Sequence, residues 1–269
     1  ADTIAGSAYR EGTKAAKGVN GCGVHTARFE DEGSETPDSV CPNKWFSSHP
    51  GGHVAIYPMY AQSRRRERRH DVIAFLKDHY RVQDVIDYSG LEPDNVFLEG
   101  TGAMVLDHLD RVAYAVRSNR TDPVALERFC THFNYEPMVF DAISHNGVPV
   151  YHTNVLMCIA SEFALIGLDM IKDRRRAGEI VKRLEESGKN VIPLSEAQIG
   201  NFAGNAIELQ GKEGRVLALS QRAADALARD QIMLIERTAK LMPIPIPTIE
   251  LAGGSVRCMM AGLHLSARR

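Results

Sequence analysis

The chain has 269 residues, 44% of them apolar and 25% charged, with a formal net charge of −2. Such a length buries a substantial core, and folds built from repeats often pass about 200 residues as one domain, whereas near-neutral charge gives no general attraction to nucleic acid or an acidic membrane surface. No apolar run approaches the roughly 20 residues that span a bilayer and no charged-then-apolar leader opens the chain, so the expectation is one domain over residues 1–269, cytoplasmic and without a membrane partner.

In chain order, the first landmark is Pro42-Asn43-Lys44-Trp45. Apolar residues at helical spacing then predict helices near 63–79, 121–134, 161–187 and 220–240. An apolar run ending in serine precedes each helix, at Ser63, Ser118, Ser161 and Ser220. A serine hydroxyl accepts from the free amides of a first helical turn, so these four read as N-caps. Turn-forming stretches at 91–95, 145–147 and 211–214 separate the segments. Each unit therefore reads as strand, strand, helix, strand.

Overlaid on these elements is a recurrence. Glu99 in Phe97-Leu98-Glu99-Gly100-Thr101-Gly102 lies 53 residues before His152 in Val150-Tyr151-His152-Thr153-Asn154. Cys258, in Gly253-Gly254-Ser255-Val256-Arg257-Cys258, follows 106 residues later, and the skipped step holds Asn205 in Phe202-Ala203-Gly204-Asn205. A period near fifty residues marks stacked supersecondary units or propeller blades. Five landmarks, with Asn43 upstream, imply five units whose equivalent positions converge on one axis.

The three groups at those positions make a chemical set. A thiol attacks as the thiolate, an imidazole lowers its pKa and carries protons, and a carboxylate orients the imidazole. The five cysteines are odd in number, widely spaced and free of any Cys-x-x-Cys pair. That pattern argues against a disulfide scaffold or zinc ribbon and for a reducing compartment. Four of them, Cys22, Cys41, Cys130 and Cys158, read as small apolar packing residues. Cys258 differs because a Gly-Gly-Ser turn lets backbone amides approach a ligand.

Other chemistries lack support. The ten histidines form no His-x-x-x-His pair beyond His49 and His53 in a Gly-Pro-rich loop, so no metal is expected. Phosphate-cradling glycine motifs are missing, so no nucleotide cofactor is expected either. Arg64 to Arg69 is interrupted by Glu67 and begins a predicted helix, and Lys172 to Arg176 reads as a solvated helix face. Neither carries a nucleic-acid reading. The expected partner is a small amino-acid substrate, and a homo-oligomer is allowed.

The residues resemble a known family, the guanidino-group-modifying superfamily or penteins, which contains arginine deiminases, dimethylarginine dimethylaminohydrolases and amidinotransferases. The resemblance runs from about Pro37 to Leu265 through Pro37-Asp38-Ser39-Val40, Asn43-Lys44-Trp45-Phe46-Ser47-Ser48-His49, Tyr57-Pro58-Met59, Arg64 to Arg69, Leu98 to Gly102, Ser118-Asn119-Arg120-Thr121, Tyr151 to Met157 and Gly253 to Met259. Within the superfamily the chain is most similar to the citrulline-utilisation hydrolase branch.

That resemblance implies an α/β fold, a five-bladed propeller of pseudo-fivefold symmetry with the active site in its central channel. It implies Cys258 as covalent nucleophile, His152 as general acid and base, and Glu99 as its orienting carboxylate, with no cofactor. Asp38, Asn43, Lys44 and Asn154 would contact substrate, and Arg65 and Arg120 would clamp an α-carboxylate through planar guanidinium groups. Family members usually begin their first unit some thirty residues further upstream than Ala1, so an incomplete or irregular first unit is expected. Lys44 is the second departure, standing where the citrulline branch favours Asn and dimethylarginine hydrolases carry an acid. Asn154 likewise replaces the acid that arginine deiminases carry two residues after the histidine. The expected activity is hydrolysis of a non-peptide C–N bond in a ureido or guanidino amino acid, citrulline before arginine. An amidinotransferase, an arginine or methylarginine hydrolase and a silent binding propeller are the alternatives.

Overall fold

Runs such as Val112–Val116 and Phe163–Ile166 are apolar on both faces and fully buried, the signature of strands covered on both sides. Each is the middle strand of a three-stranded sheet in a computed structural model that describes residues 3–31 and 36–268.

Among the described residues that sheet recurs four times. Strands β1 (Phe46–His49), β2 (His53–Ile56) and β3 (Asp84–Asp87) form the first. The second is β4 (Met104–Asp107), β5 (Val112–Val116) and β6 (Glu136–Phe140). The third is β7 (Met157–Ile159), β8 (Phe163–Ile166) and β9 (Asn190–Pro193), and the fourth is β10 (Ile207–Gly211), β11 (Gly214–Ser220) and β12 (Lys240–Ile244). In each the first two strands pair antiparallel through a short turn, and the third pairs parallel with the second. A parallel partner requires a crossover. Helices His70–His79, Pro123–Phe133 and Arg174–Glu186 supply three of these, and the pair Gln221–Ala226 and Arg229–Ile235 supplies the fourth.

The strand-strand-helix-strand reading is therefore observed, with two corrections. The third helix begins at Arg174, not near 161, because Phe163-Ala164-Leu165-Ile166 is a buried strand. Of the four serines read as caps, Ser220 alone does this, accepting from the Ala223 amide at 3.1 Å. Asp122 and Asp173 cap the second and third crossovers instead, since an aspartate carboxylate accepts from first-turn amides as a serine hydroxyl does. Ser161 sits in the β7–β8 turn, bonded to Glu208.

A tight turn precedes each sheet or stands at the equivalent place: helical at residues 42–44, 100–103, 153–156 and 256–259, and non-helical at 201–205. These turns touch in succession. A β-carbon on Gly100 would meet the Asn43 carbonyl at 2.6 Å, and one on Gly204 would meet the Val155 carbonyl at 2.6 Å. Asn205 Nδ2 donates to the Asn154 carbonyl at 2.8 Å, the Arg257 amide donates to Asn205, and the turn 256–259 packs back on 42–44. The recurrence of five is thus carried by turns. The fifth turn, around Cys258, is followed by no sheet of its own among the described residues; the segment after it runs beside the first unit, pairing Ala267 with Tyr80.

Near the other end of the chain the helix Ile4–Gly21 buries Ala15 and Val19 against Ile244, Ile246, Ile249 and Val256. Glu11 on it accepts from the amides of Thr248 and Ile249. This helix braces the segment that leads to Cys258. The expectation about Ala1 itself lies outside the described residues.

Candidate active site

Glu99, His152 and Cys258 come together at the ring of turns, each almost sealed from solvent at 0%, 2% and 1% exposure. Glu99 ends the β-bridged segment before its helical turn, so its side chain points to the axis with a buried Gly-Thr-Gly behind it. Gly102 leaves room there: a β-carbon would stand 3.1 Å from the Lys44 stem and 3.6 Å from the His152 ring.

The carboxylate of Glu99 is fully engaged. His152 donates from Nε2 to Oε2 at 2.6 Å, Arg120 Nη1 donates to both oxygens at 3.1 and 3.2 Å, and the Tyr60 amide donates to Oε1 at 3.1 Å. Burial alone would push the acid up, but the hydrogen bonds and charges of His152 and Arg120 outweigh it and hold the pKa at about 2. An ionised Glu99 only accepts, which fixes the imidazole proton on Nε2 and leaves Nδ1 bare. Burial, with help from Lys44, pushes His152 down to about 4 against the pull of Glu99. The resting imidazole is neutral.

The Cys258 sulfur receives two amide donors, Asn154 Nδ2 and Asn205 Nδ2, each at 3.3 Å. Cys41 is the third neighbour: its sulfur and that of Cys258 lie 3.2 and 3.8 Å from the point a β-carbon on Gly254 would occupy. The hydrogen bond from Cys41 holds the Cys258 thiol well below its ordinary range. Burial opposes this, while Lys44, Asn205 and a backbone bond with Ser255 add to it. Cys41 is pushed up by the same bond and by burial, and the Asn154 and Asn205 donors fall on the Cys258 sulfur, which favours Cys258 as the thiol of the pair to carry the charge. A thiolate beside a proton-carrying imidazole, itself oriented by a carboxylate, is equipped for covalent catalysis.

The remaining predicted residues divide. Asn43 is fully buried with neither amide atom bonded, and the Asn154 Oδ1 is also unpartnered. Lys44 is 8% exposed and lies beside His152. Asp38 stands half-buried on the turn before Cys41. The two predicted carboxylate clamps are committed elsewhere. Arg120 closes on Glu99, its guanidinium flanked by the Tyr60 and Tyr151 rings at 5.4 and 5.2 Å. Arg65 donates to the Met59 carbonyl at 3.0 Å and lies 3.4 Å from Glu92.

Three residues of the site escaped the sequence reading. Arg64, in a buried pair with Glu67, donates to the Asp38 and Cys41 carbonyls and so fixes the segment carrying both. Cys41 was expected to be packing material. Asn205 had a signal, because it occupied the skipped step of the period, 53 residues from Cys258. Among the described residues no group of acid, histidine and cysteine side chains is arranged to hold a metal, and no helix is long and apolar enough to cross a membrane. A surface cleft of about 490 Å3 lined by Asn201, Gln221, Arg222, Pro245, Pro247 and Glu250 includes none of Glu99, His152 and Cys258.

The fold brings a buried thiol, an imidazole and a carboxylate together, and the class of protein it defines is an enzyme. Residues 1–265 match the family described as N,N dimethylarginine dimethylhydrolase, eukaryotic, and the chain belongs to that family, whose reaction is hydrolysis at a carbon–nitrogen bond other than a peptide bond. Among curated proteins none matches it. Solved structures share the fold at low identity. Ligand-free ArgZ, an arginine dihydrolase of the cyanobacterial ornithine–ammonia cycle, superposes with a TM-score of 0.73 at 16% identity over 97% of this chain, which spans 37% of that protein's length. The N-terminal domain of ArgZ in a substrate-bound cysteine-to-serine variant gives 0.72 at 17%, over 93% of this chain and 84% of the domain. A dimethylarginine dimethylaminohydrolase adduct with 4-chloro-2-hydroxymethylpyridine gives 0.66 at 13%, over 94% and 89%.

Proposed function

We propose that the chain is one catalytic unit, a five-bladed propeller in which Cys258 cleaves a C–N bond of a ureido amino acid, with citrulline giving ornithine, ammonia and carbon dioxide. The thiolate attacks the planar carbon and His152 protonates the departing nitrogen. Water then hydrolyses the adduct with His152 as base. Because the resting imidazole is neutral, its working proton arrives with or after the substrate.

One observation carries the ureido reading: the polar groups left uncommitted around the thiol are balanced in charge. Glu99, Glu67, Glu92 and Glu250 are each bonded to a protein partner, which leaves Asp38 against Lys44 among the described residues. A guanidinium is a cation with donors only, and it calls for more carboxylate than that. A ureido group is neutral, with a carbonyl acceptor and N–H donors, and Asn43 and Asn154 offer both kinds of atom to it.

A second reading, hydrolysis of arginine or methylated arginine, is favoured by the names of the similar proteins and by the free carboxylate of Asp38. Incubation with citrulline, arginine and methylated arginines, followed by identification of the released amine and carbon dioxide, separates the two. Turnover of arginine at a kcat/KM equal to or above that of citrulline would sink the ureido reading.

A further inference from the structure

Among the described residues, Lys44 and Asp38 are the charged side chains at this centre that make no ion pair, and Lys44 is the more buried of the two. Its residue is 8% exposed, yet no carboxylate lies within ion-pair distance and no acceptor within hydrogen-bond distance among the described residues. Its stem runs along Gly102, where a β-carbon would meet Cγ at 3.1 Å and Cε at 3.5 Å, next to the His152 ring. Its charge pulls Cys258, Cys41, His152 and Glu67 downward. A buried ammonium without a partner is costly, so it needs a negative charge that the pairing of fixed side chains does not supply. The centre generates two such charges in succession, on sulfur and then on substrate.

We propose that Lys44 is the fixed positive pole of the reaction: it is the counter-ion of the Cys258 thiolate at rest and the partner of the substrate's carbonyl oxygen once sulfur has attacked. The first half stands on the site alone, and the second rests on the ureido reading above. As the S–C bond forms, the C=O π pair moves to oxygen and the negative charge passes from sulfur to that oxygen, both within the field of one ammonium. Collapse restores C=O and breaks C–N, and the departing amine takes the proton of His152. The thiocarbamate left on Cys258 is hydrolysed by water, which returns a proton to His152. Attack on a guanidinium gives a neutral tetrahedral adduct with no oxyanion, so Lys44 has nothing to stabilise there. A cation at this place therefore selects a carbonyl electrophile over an amidine.

The test compares wild type with Lys44→Met, which keeps the length, Lys44→Gln, and Lys44→Arg, which keeps the charge. The first readout, independent of substrate, is the rate of iodoacetamide alkylation against pH, with Cys258→Ser as blank. The midpoint is expected to rise by about one pH unit or more in the Met and Gln variants and to stay near wild type in the Arg variant. In steady state, kcat for citrulline is expected to fall about 100-fold or more, with KM changed far less, in folded Met and Gln variants whose melting is cooperative. An alkylation profile unchanged in both neutral variants overturns the counter-ion role. Citrulline turnover at wild-type kcat in those variants overturns the oxygen-partner role. If arginine alone is turned over while the alkylation midpoint shifts, the ureido reading falls and the counter-ion role is supported.

Discussion

Arg120 places Nη1 3.1 and 3.2 Å from the two oxygens of Glu99, the same carboxylate that holds His152 at 2.6 Å. The guanidinium thus acts on the imidazole through a shared acid. Removing it leaves a buried carboxylate one cation short.

Arg120→Ala should therefore lower kcat, at a cost of about 2 kcal/mol or more, the scale for truncating one partner of a buried, hydrogen-bonded charge pair. Substrates with and without an α-carboxylate should suffer alike. A loss confined to KM, and to carboxylate-bearing substrates, would instead return Arg120 to the role of substrate clamp.

Cys258→Ser should abolish turnover while melting temperature stays within a few degrees of wild type. The hydroxyl fits the same space and can meet the Asn154 and Asn205 amides, but it is a far weaker nucleophile at neutral pH. Retention of more than a few per cent of activity would remove Cys258 from the role.

Asn154→Asp tests what that amide does. Its Nδ2 donates to the Cys258 sulfur, so a carboxylate there removes a donor and sets a like charge against the thiolate. The alkylation midpoint of Cys258 should move up by about one pH unit or more, and citrulline turnover should fall. An unchanged midpoint, with preference moved cleanly toward guanidino substrates, would show that the substrate and not the sulfur is its main partner.

Acid should unfold this protein early. Burial pushes His49 to about 3, His108 to about 2 and His152 to about 4, with His264, Arg111, Arg257 and His53 adding repulsion around the first two. Each of these three pKa values is depressed below the unfolded value of about 6.5. The unfolded chain then binds the extra protons, and stability present above pH 6.5 is lost as pH falls toward 4, by up to about 1.4 kcal/mol per unit for each histidine. Glu99, depressed to about 2, adds its loss below pH 4.5. Urea midpoints measured at pH 7.5 and 5.5 should differ clearly in wild type and by less in His108→Asn. Equal midpoints at the two pH values in wild type would contradict the assignment.

Glu99, His152 and Cys258 were legible in the linear chain, and Asn205 left a signal at the skipped step, because each unit repeats the same fold over about fifty residues and sets its leading turn at the same place. Equal spacing in sequence therefore becomes proximity in space. The strand, strand, helix, strand order of each unit was also legible, since it is local and follows from apolar runs, helical periodicity and turn residues. The boundary near residue 161 was misread because a short buried strand and a buried helical stretch look alike in composition. Only the tertiary structure decided the partners of long or small side chains. Arg120 and Arg65 carry the same fork and could have faced substrate, yet Glu99 and Glu92, 21 and 27 residues away in the chain, stand within their reach. Cys41 looked like packing until the turn at Gly254 brought its thiol beside that of Cys258. A charge or a thiol takes its role from what folding sets within a few ångströms of it, and no pattern along the chain encodes that distance.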